Sequence, residues 1–138
     1  MADAERIICP RSALIDGGRA VRFEVERDGR QSRCFVVAYD GEVFAYVNSC
    51  PHRFTELDWQ PGEVFEDSGL YLICATHGAL FEPDGGLCVG GPCQGTRLMP
   101  VPVQEVEGMV LLSSGYRLTW SEMSAASRQP KVENDLNG

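Results

Sequence analysis

Much of this chain alternates apolar and polar residues with a period of two. Residues 20–26 (AVRFEVE) put Val21, Phe23 and Val25 on one side and Arg22, Glu24 and Glu26 on the other. That is the signature of a strand with one buried face. Residues 34–39 (CFVVAY) are apolar almost throughout, and residues 43–47 carry a third strand. Asp28-Gly29 and Asp40-Gly41 separate these runs, and an Asp-Gly pair between two strands is a strong hairpin signal. Residues 6–9 can open a sheet. Residues 70–74 and 79–82 pair around Ala75-Thr76-His77-Gly78, and residues 101–106 and 109–112 close a hairpin through Glu107-Gly108. Helical periodicity is nearly absent, with residues 54–65 left as a helical turn or irregular loop. The pattern predicts an all-β sandwich of short antiparallel strands. It occupies residues 1–120, and residues 121–138 form a polar tail without aromatics.

A length of 138 residues suits one domain with an extension, enough chain for a real core. The net charge of −8 narrows the partners. An acidic surface disfavours nonspecific contact with nucleic acid or anionic membranes and favours basic patches on another protein. The same charge also serves solubility, so it does not choose a partner by itself. No run of about 18 apolar residues is present, so no membrane span is expected. Residues 1–6 carry two acids and no apolar run, which argues against a secretory signal. The expected compartment is the cytoplasm, where structural disulfides are rare. The six cysteines then need another explanation.

Two of those cysteines sit beside the chain's two histidines, in Cys50-Pro51-His52 and Cys74-Ala75-Thr76-His77. Two thiolates and two imidazoles suit a tetrahedral structural zinc. They also suit a [2Fe–2S] cluster with two cysteines on one iron and two histidines on the other. In the second case each motif gives one ligand to each iron, and two loops clamp the cluster from opposite sides. Mononuclear copper uses a different arrangement.

The residues around the motifs separate zinc from iron–sulfur. Cys-x-His, a spacer, then Cys-x-x-His-Gly, an apolar hairpin and a Gly-Pro loop is the pattern of the Rieske family. This chain is similar to it at Cys50-Pro51-His52, at Cys74 to Phe81 and at Gly90-Gly91-Pro92, with the strands of residues 100–112 behind. The resemblance implies a Rieske-type sandwich with a small cluster-binding subdomain at about residues 48–95. It further implies one [2Fe–2S] cluster held by Cys50, His52, Cys74 and His77. Gly78 would let backbone amides approach the cluster, Pro51 would stiffen the first loop, and Gly91-Pro92 would cap the site.

Departures from the family's high-potential members, those of cytochrome bc complexes, are informative. A disulfide joins the cluster loops there, at positions that here hold Thr55 and Thr76. Serine and tyrosine hydroxyls that donate to sulfur there are replaced by Ala79 and Phe81. The resemblance therefore implies a low potential, as in ferredoxins that feed oxygenases. Cys9 and Cys34 read as buried small hydrophobes, while Cys88 and Cys93 flank the third loop and either pair across it or stand as free thiols, the compartment favouring thiols.

No histidine remains for a mononuclear oxygen-activating iron, and Gly85-Gly86 and Gly90-Gly91 open no dinucleotide-binding helix. The expectation is an electron carrier, not an enzyme, that takes electrons from a reductase and gives them to an oxygenase. A small subunit of a nitrite reductase-type complex and a zinc-stabilised interaction module are the alternatives.

Overall fold

Three two-residue turns set the hairpins. Asp28-Gly29, Asp40-Gly41 and Glu107-Gly108 all have positive φ at both positions, 54° and 79°, 53° and 82°, and 51° and 78°. These are type I′ turns, whose twist matches that of the strands they join. The computed structural model describes residues 6–49, 56–58, 62–74, 78–91, 95–113 and 115–123.

Strand β1 (Ile7–Pro10) leads through a 3-10 turn (Arg11–Ala13) to β2 (Val21–Arg27), β3 (Arg30–Tyr39) and β4 (Glu42–Val47). Three short strands follow: β5 (Leu72–Ile73), β6 (Leu80–Phe81) and β7 (Cys88–Gly90). The chain closes with β8 (Val103–Val106), β9 (Met109–Leu112) and β10 (Arg117–Ser121). They form three antiparallel sheets, ordered β1-β9-β8, β10-β2-β3-β4 and β5-β6-β7. The predicted all-β class, the β2-β3-β4 meander and the β8-β9 hairpin are all present. Of residues 54–65, those described include no helix. The pattern assigned no strand to β7 or β10. β7 is three residues long, and β10 (RLTWS) has only two large apolar side chains, both half-buried. Of the tail expected at residues 121–138, Ser121 instead ends β10, where it is fully buried, and residues beyond 123 lie outside the described residues.

Strand β3 explains the unbroken apolar run. Its side chains alternate between two cores. Cys34, Val36 and Ala38 join Ile8, Phe23, Val25, Val110 and Leu112 between the first two sheets. Phe35 and Val37 join Tyr46, Leu57, Leu72, Phe81 and Leu98 beneath the third. A strand covered on both faces needs apolar residues at every position, whereas β2, covered on one, keeps its arginine and glutamates outward. Phe35, Val36 and Val37 are fully buried, and such a side chain contributes about 1.5–3 kcal/mol relative to exposure.

The small sheet hangs from the second core. The Tyr46 hydroxyl donates to the Pro83 carbonyl at 2.7 Å, a buried bond from β4 to the β6-β7 connection. The returning chain lies along β4, with the Val47 amide donating to Met99 O and the Val101 amide to Ala45 O, each at 2.9 Å. At the opposite edge, Ser121 is fully buried, and its hydroxyl donates to Ile8 O at 2.5 Å. That bond fastens β10 to β1.

Candidate metal centre

The two motif loops leave from strands anchored in one core. The first follows β4. Its start is Asn48, a polar residue only 6% exposed. The Asn48 amide donates to Arg33 O on β3 at 2.8 Å. The Asn48 side chain then receives the Leu57 amide on Oδ1 at 2.8 Å and donates through Nδ2 to Asp58 Oδ1 at 2.9 Å. Asp58 Oδ2 accepts the Gly62 amide at 2.9 Å, and the Ala20 amide donates to Gly62 O at 2.8 Å. Cys50, Pro51, His52 and Thr55 lie outside the described residues.

The second loop follows β5. Cys74 is fully buried in the second core. Its amide donates to Ala79 O at 2.9 Å, and its carbonyl accepts the Gly78 amide at 2.7 Å. These bonds close the loop at its base, so a cysteine donor stands at the neck of a five-residue turn. Gly78 has φ +74°, and a Cβ there meets no atom of the described residues within 4 Å. The left-handed backbone at this position by itself favours glycine. Thr76 and His77 lie outside the described residues.

A third loop packs against the second. At Gly91 (φ +92°) an added Cβ falls 2.8 Å from Ala79 Cα and 3.3 Å from Gly78 O. The Cys88 amide donates to Thr96 O at 2.8 Å and the Gly95 amide to Cys88 O at 3.1 Å, closing this loop too. The Cys88 thiol donates to Gly90 O at 3.2 Å. Pro92 and Cys93 lie outside the described residues, so a Cys88–Cys93 pairing does too.

Ala79 and Phe81 are both fully buried within the core shared with Cys74. Neither carries a hydroxyl. Cys9 and Cys34 are buried small hydrophobes, each 1% exposed. Burial pushes both thiols up to about 12, and Glu24 adds to it for Cys34. Such thiols stay protonated and unreactive at neutral pH. Sequence reasoning missed Asn48, Asp58 and Tyr46, polar groups whose roles show only once their partners across the fold are known.

Among the described residues the site is thus a buried cysteine at the neck of one loop, with a third loop packed against that neck at Gly91. The donor chemistry fits a mixed thiolate–imidazole cluster, because Cys74 heads a loop whose next candidate ligand is His77. The family model of the Rieske [2Fe-2S] domain matches residues 5–107, and the chain belongs to that family. Its cofactor is a [2Fe–2S] cluster with two cysteine and two histidine ligands, which displaces structural zinc.

Solved structures agree. The ferredoxin of Sphingomonas yanoikuyae B1 is 27% identical, with a TM-score of 0.58 over 78% of this chain and 95% of that one. The ferredoxin of carbazole 1,9a-dioxygenase from Nocardioides aromaticivorans IC177 has 21% identity and a TM-score of 0.56 over 78% and 94% of the two chains. The terminal oxygenase of carbazole 1,9a-dioxygenase from Novosphingobium sp. KA1 has 23% identity and a TM-score of 0.58, over 80% of this chain but 31% of that chain. No curated protein matches the chain. Among the described residues, no helix is long and apolar enough to cross a membrane.

Proposed function

We propose that this protein is a cytoplasmic Rieske-type ferredoxin that accepts single electrons from a reductase and passes them to an oxygenase, transforming no substrate itself. The observation that carries this reading is coverage. The chain spans 95% of the Sphingomonas yanoikuyae B1 ferredoxin at 27% identity. The cluster would be held by Cys50 and Cys74 on one iron and His52 and His77 on the other, and it supplies one-electron transfer. The protein's part is to hold two loops at fixed separation so that little rearrangement accompanies the transfer. Hydrogen-bonded necks on buried strands serve that purpose. The net charge of −8 suits electrostatic steering toward a basic partner face, with membranes and nucleic acid disfavoured.

The test has two arms. Anaerobically purified protein is expected to be red-brown and to give a Rieske-type paramagnetic resonance signal on reduction. Cys50→Ser, His52→Ala, Cys74→Ser and His77→Ala should each abolish that signal; its survival in any one removes that residue from the ligand set. Stopped-flow mixing with a reduced ferredoxin reductase should reduce the cluster at a rate that falls with added salt. Absence of reduction by several reductases, or a rate indifferent to salt, counts against the carrier reading.

A further inference from the structure

We infer that Asn48 and Asp58 act as one positioning unit for the first ligand loop, and that their polarity is fixed by the bonds they share. The inference rests on the reading of Cys50 and His52 as ligands. Both fall between Asn48 and Leu57, and the Asn48 side chain joins those two points. Its Oδ1 accepts the Leu57 amide at 2.8 Å, so the chain leaving β4 is tied to the chain coming back. Its Nδ2 donates to Asp58 Oδ1 at 2.9 Å, and Asp58 Oδ2 takes the Gly62 amide at 2.9 Å. The series ends in the framework on both sides, through Arg33 O on β3 and the Ala20 amide before β2.

Each group in the series is used in one sense only. The Leu57 and Gly62 amides can only donate, so the atoms facing them must accept. One hydrogen atom must then lie between the two side chains, and the Asn48 amide supplies it. Two carboxylates would leave that contact without a proton and would place like charges together at a partly buried site. Two amides would turn one NH2 group toward a backbone N–H. An asparagine paired with an aspartate meets the requirement. So does the reverse order: an aspartate at 48 accepts from Leu57 and from the amide of an asparagine at 58, whose oxygen accepts from Gly62. The second and third loops are held by main-chain contacts at Cys74, Cys88 and Gly91. The ends of the first loop are tied instead by side chains, at Asn48 and Asp58 and, on the exposed face, by Arg33 donating to Glu56 at 2.9 Å.

The experiment compares Asn48→Asp, Asp58→Asn and the exchanged pair N48D/D58N as holoproteins. Cluster loss to excess EDTA is followed by visible bleaching without denaturant, and the reduced cluster is examined by paramagnetic resonance. Global unfolding in guanidinium is followed by tryptophan fluorescence in the same preparations. Each single variant is expected to lose its cluster about tenfold faster and to broaden the resonance. The exchanged pair should return to within about twofold of the parent, the restoration a coupled pair shows. The inference is overturned by unchanged single variants or by an exchanged pair as labile as they are. It is equally overturned if bleaching rates follow the unfolding rates of the same samples, the mark of a merely structural role. If Asn48→Asp yields no folded protein, Asp58→Asn and the exchanged pair decide the matter, since only a coupled pair brings back a loaded protein. Cys50→Ser runs alongside. A cluster retained there overturns the ligand reading, whereas its loss with indifferent position 48 and 58 variants overturns the clamp alone.

Discussion

Replacing Gly91 with alanine tests how the third loop supports the second. The added Cβ would lie 2.8 Å from Ala79 Cα, where carbon atoms prefer about 3.5–4.0 Å. The contact must open by roughly 0.7 Å or more. Ala79 cannot easily retreat, because its carbonyl accepts the Cys74 amide at 2.9 Å and it is fully buried. Overpacking of that kind costs about 1–3 kcal/mol. Alanine at φ +92° adds about 1–2 kcal/mol of left-handed backbone strain. Gly95 is a matched control, with φ +93° and no atom of the described residues within 4 Å of an added Cβ. Gly95→Ala should pay the backbone cost alone. The difference between the variants isolates the contact, predicted at about 1–3 kcal/mol. Guanidinium unfolding of both holoproteins, followed by fluorescence and by cluster absorption, reads that difference with the cluster present in each. Equal destabilisation, within about 0.5 kcal/mol, would refute the claim that the third loop bears on the neck of the second.

Three further outcomes follow from the same geometry. Ala79→Ser with Phe81→Tyr should raise the midpoint potential in an anaerobic redox titration. A donor worth about 1.4 kcal/mol more to the reduced state shifts a one-electron couple by about 59 mV, and a strongly positive parental midpoint would contradict the low-potential reading. Cys9 and Cys34 ionise near pH 9 when unfolded but only at about 12 when folded. The unfolded chain therefore holds fewer protons above pH 9. Stability should fall from pH 9 toward 12 by up to about 1.4 kcal/mol per thiol per pH unit. Chemical denaturation across that range should show a shallower fall in C9A/C34A. Glu107, held at φ +51° in a type I′ turn, should give way to asparagine with a gain of about 0.5–1 kcal/mol, read as a higher unfolding midpoint.

Legibility differed between local and non-local features. The Asp-Gly and Glu-Gly pairs showed the hairpins because a two-residue turn constrains its own backbone. The alternation in residues 20–26 showed one buried face, and β2 has one. The unbroken run at residues 34–39 could be read as a strand, but its cause, two cores on opposite faces of β3, is a property of the assembled sheets. β7 was invisible because Cys88–Gly90 spans three residues, two of them half-buried, too short to establish a period. At the metal centre, cysteine and histidine announce their chemistry at fixed spacing. Asn48 does not, since an asparagine before a loop has the ordinary composition of a turn.

The three loops are braced by different means, and that difference has consequences for substitution. The second and third meet backbone to backbone, Gly91 against Ala79, with Cys74 and Cys88 tied through main-chain bonds. Such contacts are indifferent to side-chain chemistry and intolerant of volume. The first loop is tied through the side chains of Asn48 and Asp58, which tolerate exchange of polarity but not its loss. If Cys50, His52, Cys74 and His77 hold the cluster as proposed, it takes one cysteine and one histidine from each of two loops and is sensitive to their separation. On that proposal, steric contact braces one loop and a directed series of hydrogen bonds the other. Relaxing either leaves the opposing loop in place, so the damage should appear first as altered cluster spectra and faster cluster loss, before the β2-β3-β4 framework yields.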